Sequence, residues 1–208
     1  MQVSTSSELA GPGLRERKKA RTRMALIEAA LRLYRERGFE GVTVAEIARG
    51  ADVSTRTFFS YFETKEDVFL GRGDDRLERL VAAIRERRPG EPILAAARRE
   101  LVRQREPANL EPSSARPELD ELLHHPAIAA RLRERWNRWE DVLAVAIAAE
   151  VGGRPEDPEP RVVAAAITGA IRVAASAAEK QPGRRQPVAE RVFDLLAAGL
   201  SGYGARPG

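Results

Sequence analysis

Thr55 and Arg56, followed one helical turn later by Ser60, set two short hydroxyls and a guanidinium close together. Groups of this size can donate to and accept from base edges in a duplex major groove about 12 Å wide. An Arg has little structural work to do at such a position. Ser54 and Thr43, by contrast, would be useful helix caps with or without a ligand. Other chemistry is hard to assemble from this chain. It has no cysteine, so thiolate nucleophiles and disulfides are excluded. Its two histidines, His124 and His125, lack the further ligands that a metal site would need, and are expected at the surface or in one pocket hydrogen bond. There is no Gly-rich phosphate loop and no nucleophile elbow. Asp74 and Asp75 beside Arg72 and Arg76 suggest an exposed, charged helix face. Neither an enzyme nor a bound cofactor is expected.

The elements that must hold Thr55 and Arg56 are legible around them. From Arg17 to Arg37 the apolar residues Met24, Ile27, Leu31 and Tyr34 recur at three- and four-residue intervals, widened by Ala30 and Leu33, as in an amphipathic helix. Gly38 should stop it. Thr43-Val44-Ala45-Glu46 has capping-box order and opens a short helix expected to end at Gly50. Ser54 can cap a second helix running through Tyr61. Between them Gly50-Ala51-Asp52-Val53 is short enough to force a close angle, which makes the pair a helix-turn-helix sealed by Ala45, Ile47, Ala48, Val53 and Phe58. Thr64 and Asp67 repeat the capping order and start a helix expected to reach about Arg87. Phe58, Phe62 and Phe69 are expected in the core, and Tyr61 could pack its ring while its hydroxyl reaches out.

Charge points the same way. The chain of 208 residues carries a formal net charge of +4, and from Met1 to Phe62 there are eleven Lys and Arg against seven Asp and Glu, so all the excess lies in the first third. Arg15, Arg17, Lys18, Lys19, Arg21 and Arg23 are opposed locally only by Glu16. A cluster of this kind favours a polyanion or an anionic membrane surface, or is simply a solvated helix start. A basic membrane-surface or scaffold protein without specific DNA recognition is the rival expectation, although it leaves the capped pair from Thr43 to Tyr61 unexplained.

From Arg17 to Phe69 the order long helix, Gly38-Phe39, Thr43-Val44-Ala45-Glu46-Ile47-Ala48, Val53 through Phe62, then Lys65-Glu66-Asp67 resembles the TetR family of bacterial repressors. The resemblance covers about a quarter of the chain. It implies a regulator that binds operator DNA as a dimer and releases it when a small molecule enters the larger domain. It further implies that Thr43 bonds a phosphate, that Thr55, Arg56 and Thr57 lie in the base-reading part of the recognition helix, and that Tyr61 and Lys65 hold the DNA backbone. Arg17 and Lys18 lead into the first helix and could reach a minor groove or neighbouring phosphates. Phe59 departs from the family pattern, in which many members carry Tyr, and its missing hydroxyl cannot bond a phosphate.

Beyond the helix-turn-helix the expected organisation is helical throughout, about nine helices in all, because no segment alternates polar and β-branched residues. Residues 1–14 are expected as a disordered arm, 15–63 as the DNA-binding domain, and 64–204 as a helical ligand-binding and dimerisation domain. Helices are expected at Pro92 to Arg105, Glu118 to His124, Pro126 to Glu150, Arg161 to Lys180 and Pro187 to Leu200, with a Pro- and Ser-rich loop from Pro107 to Arg116. Val162 to Ala178, small-residue almost throughout, suggests a closely packed buried helix. The resemblance implies that the last two helices form a four-helix dimer interface and that a cavity lies among the helices between about Leu77 and Ile171. Trp136 and Trp139 could line that cavity, or serve as core or interface residues. The effector is expected to be apolar or amphipathic, acyl-like or aromatic. No apolar stretch is long enough for a bilayer span and no export signal is evident at the N-terminus, so a cytoplasmic location is expected.

Overall fold

A helix that stops where Gly38 can turn left-handed begins the fold. The computed structural model describes residues 14–71, 73–103, 118–180 and 185–199, and among these there are ten helices and no strand. The chain divides into two compact units, Met1–Gly71 and Arg72–Gly208.

In the first unit, α1 spans Leu14–Arg37, α2 Val44–Gly50, α3 Thr55–Phe59 and α4 Lys65–Leu70. Gly38, at φ 69°, donates its N–H to the Tyr34 carbonyl at 2.7 Å and closes α1 as expected. Helix α1 starts three residues before the expected Arg17; the arm expected over 1–14 lies outside the described residues except for Leu14. Its buried arc, Leu26, Ile27, Ala29, Ala30, Leu31 and Leu33, is wide because both α2 and α4 pack against it. Val42, Ile47, Ala48, Phe58, Phe62, Val68 and Phe69 complete this core. Ala45, expected to help seal the pair, is exposed.

The second unit contains α5 Gly73–Arg85, α6 Ile93–Arg103, α7 Glu118–His124, α8 Pro126–Val151, α9 Pro158–Lys180 and α10 Arg185–Ala197. The single helix expected from Thr64 to Arg87 is two, α4 and α5, because Gly71 adopts φ 69° and breaks the path. That break accounts for the tenth helix. The loop expected at Pro107 to Arg116 lies outside the described residues. Helix α8 packs on α5 and α9, α10 on α6 and α9, and α5 on α6. Their shared core joins Leu77, Leu80 and Ile84 of α5, Leu143 and Ile147 of α8, Ile167 and Ile171 of α9, and Phe193 of α10. Ion pairs brace the helices from outside this core: Arg87 with Glu150, and Arg161 with Asp141 at 2.6 Å.

Helix α9, expected as a closely packed buried helix, has one buried face and one open one. Ala164, Ile167, Thr168, Ala170, Ile171 and Ala174 are buried, yet Val162 and Val173 are 66% and 52% exposed. No described helix is long and apolar enough to cross a membrane.

Candidate nucleic-acid interface

The close angle between α2 and α3 comes from a backbone device at residues 51–53. Asp52 donates its N–H to the Arg49 carbonyl at 3.1 Å, and Val53 donates to the Ala48 carbonyl at 3.0 Å. Those two bonds, with Asp52 in the left-handed region at φ 55°, form a Schellman closure that satisfies the last carbonyls of α2. Asp therefore occupies the position for which glycine is the usual choice. Gly50 is the last residue of α2, where the helix was expected to end, and it also permits close approach: a Cβ there would lie 3.2 Å from the Ala29 Cβ and 2.9 Å from the Arg32 guanidinium. It lets α2 lie tightly on α1.

Caps define the starts. The Ser54 hydroxyl accepts from the Thr57 N–H at 3.0 Å, and its oxygen lies 2.8 Å from the Thr57 hydroxyl. Thr43 and Glu46 form the full capping box. The Glu46 N–H donates to the Thr43 hydroxyl at 3.3 Å, while the Thr43 hydroxyl and N–H donate to Glu46 Oε2 at 2.8 and 3.1 Å. Arg37 donates to Glu46 Oε1 at 2.6 Å. The Thr43 hydroxyl, then Arg37 and the Thr43 amide, hold the Glu46 carboxyl down to about 2. Both donors of Thr43 are thus engaged by its own cap, and a phosphate bonded there must compete with Glu46.

Helix α3 ends at Phe59, two residues short of Tyr61, and turns one face outward. Thr55, Arg56, Phe59 and Ser60 are exposed, at the i, i+1, i+4 and i+5 spacing that gathers side chains on a helix surface. Arg56 has no ion-pair or hydrogen-bond partner among the described residues. Ser60 donates its hydroxyl to the Thr57 carbonyl at 2.6 Å, so it faces outward as an acceptor. Thr57 is half-buried, with its hydroxyl against Ser54.

The remaining expected contacts are divided between surface and scaffold. Arg17, Lys18, Lys19 and Arg21 lie on the first turns of α1, where Lys18, Lys19 and Arg21 are exposed. Arg23 is drawn in instead: its guanidinium donates to the Tyr61 carbonyl at 3.4 Å and lies 4.9 Å from the Phe62 ring centroid. Tyr61 is half-buried. Lys65 is half-buried as well, donating to the Phe39 carbonyl at 3.0 Å with its ammonium 4.0 Å from the Phe39 ring centroid. An ammonium has three hydrogens, so two remain for another acceptor.

Trp136 and Trp139 belong to the second unit. Their rings meet edge to face, centroids 5.2 Å apart, with Trp136 half-buried and Trp139 only 3% exposed in the core. The Trp139 indole N–H is buried without a hydrogen-bond partner among the described residues. His125 caps α8, its Nδ1 accepting from the Ala127 N–H at 3.3 Å, and is half-buried, while His124 is exposed. No cluster of three potential metal ligands occurs among the described residues.

Comparison with known proteins bears on both units. Residues 26–71 match the family model described as bacterial regulatory proteins, tetR family, and residues 91–201, more than half of the chain, match the MftR C-terminal domain. The transcriptional regulator TcmR of Streptomyces glaucescens is 45% identical over 93 residues, 45% of this chain and 41% of that protein, so the match spans less than half of that relative's length. The mycofactocin biosynthesis transcriptional regulator MftR of Mycobacterium tuberculosis is 26% identical over 188 residues, 88% of this chain and 93% of that one. Among solved structures, NalD, the secondary repressor of the MexAB-OprM multidrug efflux pump in Pseudomonas aeruginosa, is similar in fold with a TM-score of 0.52 at 18% identity, over 86% of this chain and 97% of that one.

Proposed function

The chain belongs to the tetR family of bacterial regulatory proteins, and from that premise we propose that it is a ligand-responsive transcriptional repressor, acting in the cytoplasm as a homodimer on a near-palindromic operator. The observation that carries this reading is the outward face of α3, where Arg56, without a partner among the described residues, stands beside Thr55 on a helix held by a Schellman turn. A helix so placed enters a major groove, and Arg reads guanine O6 and N7 bidentately. Arg17, Lys18, Tyr61 and Lys65 supply backbone contacts, and Thr43 joins them by exchanging its bond to Glu46 for one to a phosphate.

Dimerisation rests on α9. Val162, Ala166, Gly169 and Val173 share one face, exposed at Val162 and Val173 and half-buried at Ala166 and Gly169, with open space beside Gly169. Small residues between two exposed valines suit a close-packed partner helix. Phe193 of α10 is buried in its own subunit's core, and Leu196 packs against that core, so α9 carries more of the apolar contact than α10.

The effector is apolar or amphipathic with at least one hydrogen-bond acceptor. Support comes from the buried Trp139 N–H in a wall of Leu, Ile and Ala side chains, since an unmet buried donor costs about 1–3 kcal/mol and a ligand carbonyl or carboxylate would recover it. Trp136 and Trp139 are the chain's two tryptophans, so effector binding should change the intrinsic fluorescence, and Trp139→Phe should weaken effector binding while leaving operator affinity intact. A library in which only small, highly charged compounds release DNA would defeat this effector class.

Selection of bound duplexes from a random library tests the operator-binding role as a whole. It should yield a palindromic winner whose affinity falls steeply with salt. Weak, sequence-indifferent binding at every stage would defeat it.

A further inference from the structure

Most exposed large apolar side chains among the described residues are valines of the second unit; Phe59 is the aromatic exception, 54% exposed at the end of α3. An isolated exposed apolar residue needs no explanation by itself. Phe59, however, lies four residues after Thr55 and three after Arg56, and so shares their helix face. Its ring is not loose. It packs edge to face on the buried Phe58 ring, centroids 5.4 Å apart and planes at 86°, which fixes one direction for an apolar surface projecting from the reading helix.

We propose that Phe59 is a specificity residue that reads the 5-methyl group of a thymine in each operator half-site. The inference rests on the operator-binding role proposed above. Its chemistry follows from what the major groove displays. The thymine methyl is the one apolar group among the base edges there, and an aromatic ring carried beside a base-reading Arg is the complement to it. Phosphate and sugar contacts fit this side chain less well, because it has no hydrogen to donate. Arg56 and Phe59 together would favour half-sites in which a guanine and a thymine lie within one helical turn of side-chain reach. The absence of a hydroxyl at position 59 thus converts a backbone-holding position into a base-reading one.

The test uses the full-length dimer and the operator selected from a random duplex library. Each thymine is exchanged singly, in both half-sites, for deoxyuridine, which removes only the methyl. At one symmetric pair the exchange should weaken wild-type binding about fourfold per methyl, the worth of burying one methyl-sized apolar group. In Phe59→Ala the same exchange should be silent, and affinity for random DNA should be nearly unchanged. Wild-type binding that is indifferent to every exchange overturns the inference, as does an undiminished uracil penalty in Phe59→Ala. A uniform loss on operator and random DNA alike in Phe59→Ala would make the ring a backbone contact and overturn it too. Failure to select any site would instead overturn the operator-binding role itself, so the two failures are separable.

Discussion

At Glu46 one carboxylate is fixed by the Thr43 hydroxyl, the Thr43 amide and Arg37, and held down to about 2 from an ordinary 4.5. Because the folded value is the lower one, the stabilisation is fully present above about 4.5 and is lost as pH falls toward 2. The melting temperature of Glu46→Gln should therefore be flatter than wild type across that window and parallel to it at neutral pH. Arg56 and Lys65 differ in kind despite their like charge. Replacing Arg56 with Ala should cut discrimination between operator and random DNA by about 1–3 kcal/mol, whereas replacing Lys65 should weaken both and reduce the salt slope by about 1. Lys65→Ala should also lower thermal stability, since its ammonium bonds the Phe39 carbonyl. Equal losses on operator and random DNA from the two variants would defeat the base-reading role of Arg56.

For the elements, the decisive feature is the turn between α2 and α3. Asp52 bears a side chain at φ 55°, where most residues are strained. Asp52→Gly should be neutral or slightly stabilising. Asp52→Val should cost about 1–2 kcal/mol, read as an earlier denaturation midpoint by far-ultraviolet circular dichroism and as reduced operator affinity. Equal behaviour of the two variants would mean that the turn is not fixed by this residue. The caps were legible beforehand, because a Thr three residues before Glu or Asp is a local pattern and its hydrogen bonds are local too. The packing role of Gly50 was not. Gly50 looks like a terminator in one dimension, and only the proximity of Ala29 and Arg32 reveals that the missing side chain also serves helix packing.

For the whole molecule, the first third carries the excess positive charge and α9 carries exposed valines at both ends of one stripe. In a dimer built on α9 that stripe is covered. Val162→Glu with Val173→Glu should convert a dimer, measured by molar mass in dilute solution, into a monomer whose helical content is retained, and should weaken full-operator binding far more than half-site binding. A double variant that remains dimeric would exclude α9 as the interface. Salt dependence should reside in the basic start of α1. Lys18→Ala with Lys19→Ala should lower the slope of log affinity against log salt by up to about 0.9 for each phosphate that is no longer neutralised.

The all-α class, the capped helix pair, the aromatic core of Phe58, Phe62 and Phe69, and the family were all determined by the sequence, because each depends on short-range spacing or on a motif whose order survives in one dimension. Tertiary structure decided what each outward or inward side chain is free to do. It exposed Ala45 and Phe59, drew Arg23 onto Phe62, engaged Thr43 and Thr57 in caps and set Arg56 on an open helix face. It also broke the expected long helix at Gly71 and gave α9 one buried and one open face. The physical reason is that a cap is closed by residues three positions apart, whereas exposure depends on which distant helix lies alongside, and small residues such as Ala and Gly are equally compatible with either environment.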